Sequence, residues 1–179
     1  MLHVIEATIG GTRRHVVDLV GGLSRAGLDV ALVAAAEREP AFRGDLARLA
    51  RQGVRVHELA MLRAVRPARD LGHLRALEAI LKRERPDVVH THSSKAGVLG
   101  RLASETTGLG RRVHTPHTFA FLFRAMFGGL QRQLYRQIET ALAARTERLI
   151  AVSAGEAETM RASGVVDPAR VRVVPNGID

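Results

Sequence analysis

The sequence predicts an α/β fold, namely an open, doubly wound, mainly parallel sheet of seven strands with helices on both faces. Short apolar runs alternate with amphipathic helical patterns along all 179 residues, and this alternation is typical of βαβ units. The strand runs are apolar on both faces, as in parallel strands that helices cover on each side. A chain of this length is long enough for one such domain. We therefore predict a single Rossmann-like domain.

The first half of the chain alternates three strands with three helices. An apolar face at helical spacing predicts a helix over residues 13–27, and Gly27 suits its C-terminal end. The second helix reaches Gly53. The third carries a leucine stripe and stops before Pro86, because the residue before a proline disfavours helical backbone. The strands of this half are predicted at residues 2–6, 30–35 and 54–59.

The second half continues the same alternation. Apolar runs predict strands at residues 87–92, 112–116, 148–153 and 171–175. The segments between them have helical spacing, and helices are predicted over residues 94–108, 128–145 and 154–164. No internal repeat interrupts the pattern. The chain therefore reads as one continuous βα series.

In sheets of this kind, ligands bind outside the carboxyl ends of the strands. This rule places the candidate site at residues 9–14, 90–95, 115–119 and 153–156. His90 and His92 lie two apart on a predicted strand, so their side chains should share one face of the sheet. Ser93 or Ser94 suits the N-cap of the next helix, whose N-terminus favours an anion.

Four of the eight histidines lie at two successive strand ends, at positions 90, 92, 114 and 117. Such a cluster could hold zinc. However, no carboxylate lies nearby in the sequence to complete or orient the set. We therefore expect the histidines to line a polar crevice, with metal binding as the alternative.

Composition narrows the function classes. The chain carries 27 Lys and Arg against 18 Asp and Glu, a net charge of +9, which favours anionic partners. It has no cysteine, which excludes disulfides and thiolate chemistry. No apolar run approaches the ~20 residues of a membrane span, and the N-terminus lacks the basic region of a signal peptide. We expect a cytoplasmic protein. Since no helix carries a basic stripe, we expect no nucleic-acid partner.

Five of the six aromatic residues fall between positions 119 and 135, where arginines occur but no acidic residue does. The apolar residues of this segment recur at helical spacing. A basic, aromatic-rich amphipathic segment is typical of proteins that lie on an anionic membrane, although such residues also pack inside domains. The membrane alternative predicts contact through Phe119, Phe121, Phe123, Arg124 and Phe127.

Gly10 and Gly11 form a turn after the first strand without the G-x-G-x-x-G dinucleotide pattern. Taken together, this turn and the segments "DVVHTHSSKAGVLGRLA", "HTPHTF", "LIAVSAGEAE" and "VRVVPNGID" resemble the N-terminal half of a GT-B glycosyltransferase of group 4. These are the retaining "group 1" transferases of bacterial cell-surface polysaccharide and glycolipid synthesis. The resemblance covers the whole chain.

The resemblance implies a protein of two Rossmann-like domains. Residues 1–175 would form the acceptor-side domain, and residues 176–179 would begin the inter-domain linker. The C-terminal domain of the family binds the nucleotide-sugar through an E-x7-E signature, and we expect that domain to lie outside these 179 residues. Glu139 and Glu147 have the same spacing by chance, on the wrong element. We therefore expect the isolated chain to be inactive.

The resemblance also assigns roles to individual residues. It implies retention at the sugar carbon, no metal and no cofactor beyond the nucleotide-sugar substrate. The acceptor would be a saccharide or a polyprenyl-linked sugar at the inner face of the cell membrane. The residues concerned are His117 as catalytic, Gly10, Gly11 and Thr12 at the donor phosphates, and His15, His92, Ser93, Ser94 and Lys95 at the acceptor.

Two other functions fit the same residues. A sugar-nucleotide epimerase has the same two-domain fold and would also need the second domain. A non-enzymatic docking subunit of a split transferase would bind the acceptor or the membrane and recruit a separate catalytic chain.

Overall fold

The computed structural model describes residues 1–37, 39–62 and 64–177. The strands are β1 (Leu2–Ile5), β2 (Ala31–Ala34), β3 (Arg55–Glu58), β4 (Val88–His92), β5 (Arg111–Thr115), β6 (Arg148–Ala151) and β7 (Val171–Val173). The helices are α1 (Gly11–Arg25), α2 (Phe42–Arg51), α3 (Pro67–Glu84), α4 (Ser94–Thr107), α5 (Gly129–Ala143) and α6 (Ala154–Ala162). Every predicted strand and helix is present, with ends that differ by a few residues.

All seven strands form one parallel sheet in the order β3-β2-β1-β4-β5-β6-β7. The strand order reverses between β1 and β4, so the connections leaving these two strands run in opposite directions and open a crevice at their carboxyl ends. His3 lies beside His90 in the register, and Ile5 lies beside His92. The first and fourth strands therefore bring distant histidines together.

Alternation along the strands sends successive side chains to opposite faces, and each face is covered by helices. On one face, Ile5 and Leu32 pack with the buried residues of α1 and α2. On the other, Val4, Val33 and Val89 pack with α3 and α4. The doubly wound architecture is thus confirmed.

Helix α4 lies directly against the sheet because two of its residues have no side chain. A Cβ atom at Gly97 would lie 2.6 Å from the His114 ring, and one at Gly100 would lie 2.6 Å from the Thr91 methyl group. Such distances do not occur between real Cβ atoms and their neighbours. This close approach explains why "SKAGVLGRLA" needs glycine at both positions.

Two local expectations need correction. Strand β3 is at the edge of the sheet, and its residues are half-buried or exposed rather than covered on both faces. Leu71, at the start of the predicted leucine stripe of α3, is 48% exposed, whereas Leu77 and Leu81 are buried. The α3 stripe therefore packs against the core from Leu74 onward.

The aromatic segment is not one amphipathic helix. A short 3-10 turn at Ala120–Leu122 is followed by irregular backbone until α5 begins at Gly129. Phe119 and Phe121 are 3% and 6% exposed and belong to the core between α5, α6 and β6. Their predicted contact with a membrane was therefore wrong, since they pack inside the domain. Phe123 and Arg124 are exposed and Phe127 is half-buried, so their predicted contact stays a prediction.

Candidate functional site

Five histidine rings cluster at the crevice. His3 from β1 lies on the same face as His90 and His92 from β4, and the His90 and His92 ring centroids are 4.2 Å apart. His15 from α1 and His117 from the loop after β5 complete the cluster, with their ring centroids 4.9 Å apart. The predicted shared face of His90 and His92 is confirmed. His3 was missed, because only the pairing of β1 with β4 brings it to the site.

His114 does not join this cluster, although its position near a strand end predicted that it would. It lies one residue out of phase and faces α4. There it contacts the Thr91 hydroxyl through Nδ1 at 2.9 Å and packs against Gly97. The grouping of His114 with the other histidines was wrong because alternate strand residues face opposite sides of the sheet.

The clustered histidines are neutral. Burial lowers the pKa of His3 to about 3, with help from the N-terminal charge and His15. Burial likewise lowers the pKa of His117 to about 4, and His15 adds to this. For His90 and His92, burial and the neighbouring rings hold the pKa well below the usual value. Neutral imidazoles keep a lone pair on one nitrogen, so these rings can accept hydrogen bonds.

The loop that carries His117 has unusual backbone geometry. His117 and Thr118 have φ angles of 50° and 89°, a region that residues other than glycine seldom adopt. The Glu156 carboxylate of α6 accepts a hydrogen bond from the backbone N–H of Thr118 in this loop, at 3.1 Å. It also accepts one from the backbone N–H of Val152, directly after β6, at 2.7 Å, and so links the loop to the end of β6. Local strain of this kind clusters at functional sites, and here it occurs at His117, which borders the crevice.

The N-terminus of α4 is occupied from within the chain. The Glu6 carboxylate, directly after β1, accepts hydrogen bonds from the backbone N–H groups of Lys95, at 3.0 Å, and Ala96, at 2.8 Å, and from the Ser93 hydroxyl, at 2.6 Å. The expectation of an external anion at this helix end was therefore wrong. Sequence reasoning missed Glu6 because it looked only at the segment around residue 93.

The expected acceptor residues next to Glu6 are placed in different ways. Ser93 is buried, and its side chain does not cap the helix. Ser94 is exposed. Lys95 contacts the Asp70 carboxylate of α3 at 2.7 Å and the carbonyl oxygen of Ala64. The charge of Lys95 is thus already paired with a carboxylate.

The N-terminus of α1 is open in the same region. Gly10 precedes the helix with φ 65°, the first turn of α1 contains no acidic residue, and no side chain among residues 1–37, 39–62 and 64–177 caps it. A Cβ atom at Gly11 would meet nothing within 4 Å. The backbone N–H groups of the first turn are therefore accessible, and a helix N-terminus attracts negative charge.

Two cavities meet at His117, and both are also lined by Thr12. The glycine-turn cavity, of about 550 Å³, is further bordered by Gly11, Glu156 and Asn176. The phenylalanine cavity, of about 430 Å³, lies toward α4 and α5. Its lining contains Lys95 and the four phenylalanines of the aromatic segment, Phe119, Phe121, Phe123 and Phe127. A cavity of mixed lining and a largely apolar cavity thus adjoin one histidine.

The C-terminal segment returns to this site. Asn176, in the "VVPNGID" stretch, lies 2.6 Å from His15, Oδ1 to Nδ1. Since an amide oxygen only accepts, His15 Nδ1 donates this hydrogen bond, and its Nε2 carries the lone pair. The C-terminal segment therefore contacts α1 across the crevice.

Within the described ranges 1–37, 39–62 and 64–177, no helix combines the length and the apolar character needed to cross a bilayer.

Comparison with known proteins shows which family the chain matches. The family model described as Glycosyltransferase Family 4 matches residues 9–179. A UDP-Gal:alpha-D-GlcNAc-diphosphoundecaprenol alpha-1,3-galactosyltransferase of Escherichia coli is 39% identical over 111 residues, which are 62% of this chain and 28% of that protein. A D-inositol 3-phosphate glycosyltransferase of Acidothermus cellulolyticus is 30% identical over 188 residues, covering 95% of this chain and 40% of that protein.

Among solved structures, a glycosyltransferase from Rickettsia africae ESF-5 superposes with a TM-score of 0.72 at 17% identity, over 99% of this chain and 43% of that one. This likeness shows the fold. The chain spans well under half the length of these relatives.

Proposed function

This chain belongs to Glycosyltransferase Family 4, and from that premise we propose that it supplies the acceptor side of a sugar-transfer cleft. The reaction would move a sugar from a nucleotide-sugar to a saccharide acceptor, with retention at the sugar carbon. The observation that carries this proposal is the meeting of an open helix N-terminus, a neutral histidine and an apolar cavity at one crevice.

The donor phosphates would approach Gly10, Gly11 and Thr12. The departing nucleoside diphosphate gains negative charge as the sugar leaves. The free N–H groups and the dipole of α1 would stabilise that charge. No side chain at Gly10 or Gly11 obstructs this approach, and Gly11 and Thr12 border the glycine-turn cavity.

His117 would contact the transferring sugar. It borders both cavities, and its lowered pKa keeps the ring neutral. A neutral ring accepts a hydrogen bond from a sugar hydroxyl through one nitrogen. His15 and His92 lie beside it and would contribute to the acceptor side, whereas the pairing of Lys95 with Asp70 leaves its role to positioning.

The acceptor would be lipid-linked, and its apolar portion would occupy the phenylalanine cavity. Two facts support this choice. The cavity is lined by four phenylalanines and adjoins His117, and the E. coli relative is named for a GlcNAc-diphosphoundecaprenol acceptor. We place the reaction in cell-surface polysaccharide or glycolipid synthesis at the cytoplasmic face of the membrane.

A second Rossmann-like domain would bind the nucleotide-sugar. We favour a transferase over half of an epimerase or a docking subunit, because the family and both curated relatives are glycosyltransferases. In this proposal residues 1–175 form the acceptor-side domain and residues 176–179 lead toward the second domain.

The transfer assay tests this function directly. A chain extended by a donor-binding domain should transfer labelled sugar from UDP-galactose, or another nucleotide-sugar, to a polyprenyl-diphosphate acceptor, whereas residues 1–179 alone should not. In the extended chain, His117→Ala should lower the transfer rate about fivefold, since one neutral hydrogen bond contributes about 1 kcal/mol. EDTA in the assay keeps adventitious metal away from the ring. Transfer by residues 1–179 alone, or an unchanged rate in the variant, would contradict the proposal.

We further propose that an apolar surface patch holds the protein on an anionic membrane. Within the described residues, the segment from 122 to 134 exposes several large apolar side chains, with exposures of 38% at Phe123, 87% at Leu130 and 52% at Leu134. Arg124 and Arg136 are exposed nearby, and this stretch contains no acidic residue. Apolar insertion together with arginine attraction is the physical basis of interfacial binding.

Vesicle sedimentation measures this contact. Wild-type protein should pellet with phosphatidylglycerol vesicles at low salt and less so at high salt, because salt screens the arginines. Leu130→Ser should weaken binding at least about tenfold, since one inserted leucine contributes roughly 1.5–3 kcal/mol. Leu28→Ser is the matched control, because Leu28 is 50% exposed outside this segment. Absence of binding even at low salt would remove the membrane contact.

A further inference from the structure

The short loop after β5 carries His117 between two buried residues. Pro116 is buried, and Phe119 is 3% exposed. His117 and Thr118 bridge these two residues, and both have positive φ angles, of 50° and 89°. A β-branched residue such as threonine rarely adopts this region. The backbone conformation that brings His117 to the junction of the two cavities is therefore strained.

The Glu156 carboxylate contacts this strained backbone. One of its oxygens accepts a hydrogen bond from the N–H of Thr118, and the other accepts one from the N–H of Val152. Strained backbone persists only where the surrounding structure holds it. We propose that Glu156 is a positioning residue for sugar transfer, which fixes the backbone of Thr118 and thereby the ring of His117. This inference rests on the proposed function.

A role in capping α6 does not account for the contact with Thr118. Ser153 caps the helix by accepting a hydrogen bond from the N–H of Glu156 at 3.1 Å. A serine followed three residues later by glutamate is the pattern of a capping box, in which the glutamate returns to the backbone of the capping residue. Here the carboxylate also reaches Thr118, which is 38 residues away in the chain. That bond is not needed for the cap, so it serves the loop.

The ring of His117 depends on its backbone for its position. Its Nε2 is buried and has no hydrogen-bond partner within the described residues. Its neighbours are the rings of His15 and His92, at centroid distances of 4.9 and 5.7 Å. Holding the ring through the backbone leaves Nε2 available to a sugar hydroxyl.

Strained backbone recurs on the other side of the crevice. Among the described residues, four other than glycine have positive φ, and three of them, Ser93, His117 and Thr118, follow β4 or β5. Glu6 accepts a hydrogen bond from the Ser93 hydroxyl at 2.6 Å, so a carboxylate contacts each strained segment. Glu6 is the poorer test, because it is 3% exposed and also bonds to two backbone N–H groups of α4. Its loss would disturb that helix as well as the crevice.

Transfer kinetics of the chain extended by a donor-binding domain test the role of Glu156. Glu156→Ala should lower kcat/KM about three- to fivefold, close to the loss in His117→Ala, because a misplaced ring loses the same hydrogen bond. In the His117→Ala background, Glu156→Ala should cause no further loss, whereas a direct contact between Glu156 and the substrate would add its own. Glu156→Gln should keep part of the rate, since its amide oxygen can still accept a hydrogen bond.

Glu147→Ala is the matched control. The Glu147 carboxylate also accepts a hydrogen bond from a backbone N–H, that of Arg112 at 2.6 Å, and Glu147 is also half-buried. It lies directly before β6, at the amino ends of the strands, and borders neither cavity. Circular dichroism confirms the fold of each variant. A similar fall in thermal unfolding temperature in both variants, with a slower rate in Glu156→Ala alone, separates positioning from stability.

Amide hydrogen exchange tests the contact without sugar transfer. In residues 1–179, NMR should show the Thr118 N–H exchanging about tenfold faster in Glu156→Ala than in the wild type, because a hydrogen bond to a charged acceptor is lost. Glu147→Ala should leave this rate unchanged.

The outcomes separate this inference from the proposed function. Unchanged exchange of Thr118, a slower transfer rate in His117→Ala but not in Glu156→Ala, or additive losses in the double variant would overturn the inference alone. A full transfer rate in His117→Ala would overturn the proposed function together with it.

Discussion

Gly11→Val is expected to lower kcat/KM for sugar transfer about 100-fold while the thermal unfolding temperature stays within a degree or two. The branched side chain would stand where the donor phosphates meet the open N-terminus of α1. A single preorganised donor at developing negative charge is worth about 10²–10³ in rate, and a side chain that keeps the phosphate away removes such a contact. The measurement is a steady-state assay on the form that carries the donor-binding domain.

The fold should tolerate this change. A Cβ atom at Gly11 meets nothing within 4 Å, and Gly11 has no left-handed backbone angle. Valine is also a better helix residue than glycine. Gly10 would be a poorer test, because its φ of 65° would strain any other residue and would mix a folding defect with a binding defect.

Gly44→Val provides the control. Gly44 lies in the first turn of α2, also has nothing within 4 Å of an added Cβ, and also has an ordinary backbone angle. It borders neither cavity. Equal losses in the two variants would mean that rigidity near a helix start, rather than access to the α1 N-terminus, controls the rate. Full activity in Gly11→Val would exclude this turn from the donor site.

Local sequence pattern predicted the strands and helices. A strand covered on both faces needs a short run of apolar residues, and a helix packed on a sheet needs apolar residues at helical spacing, so both are visible in the sequence. The shared face of His90 and His92 on β4 followed from two-residue alternation. His3 could not be found in this way, since its contact with His92 depends on which strand lies beside β4. Local periodicity carries no information on strand order.

The errors at the site have the same origin. Glu6 fills the N-terminus of α4 from 89 residues away in the chain, between its carboxylate and the N–H of Lys95, so the segment "HSSKAG" read alone looked like an open anion site. Phe119 belongs to a set of apolar residues at helical spacing, but the backbone there is a short 3-10 turn followed by irregular structure, and it buries Phe119 and Phe121 in the core between α5, α6 and β6. Spacing predicts which residues share a face only where the backbone is regular.

A buried ion pair between α4 and α5 was not predicted. Arg101 is 1% exposed, and its two terminal nitrogens contact the two Glu139 carboxylate oxygens at 2.8 and 2.9 Å. Its Nε donates to the carbonyl oxygen of Gly97 at 2.8 Å. Glu139 also borders the phenylalanine cavity. The pair therefore fixes the position of α5 along the wall of that cavity.

Arg101→Met should reduce the free energy of unfolding by about 3–5 kcal/mol, because it leaves the Glu139 carboxylate buried without a partner. Urea unfolding followed by circular dichroism measures this loss. The surface pair Arg14–Asp18, whose side chains are 65% and 52% exposed, supplies the control, since Arg14→Met should change stability by less than about 1 kcal/mol.

The double variant Arg101→Met/Glu139→Leu separates two contributions to the lost stability of Arg101→Met. One is the loss of the contacts that Arg101 makes, and the other is the cost of leaving the Glu139 carboxylate buried without a partner. Because it removes both charges, the desolvation penalty disappears, and most of the lost stability should return. Recovery would mean that the pair stabilises the fold little but fixes where α5 lies against α4, and therefore the width of the phenylalanine cavity. A double variant as unstable as Arg101→Met would instead mean that the bidentate contact and the bond to Gly97 hold the two helices together.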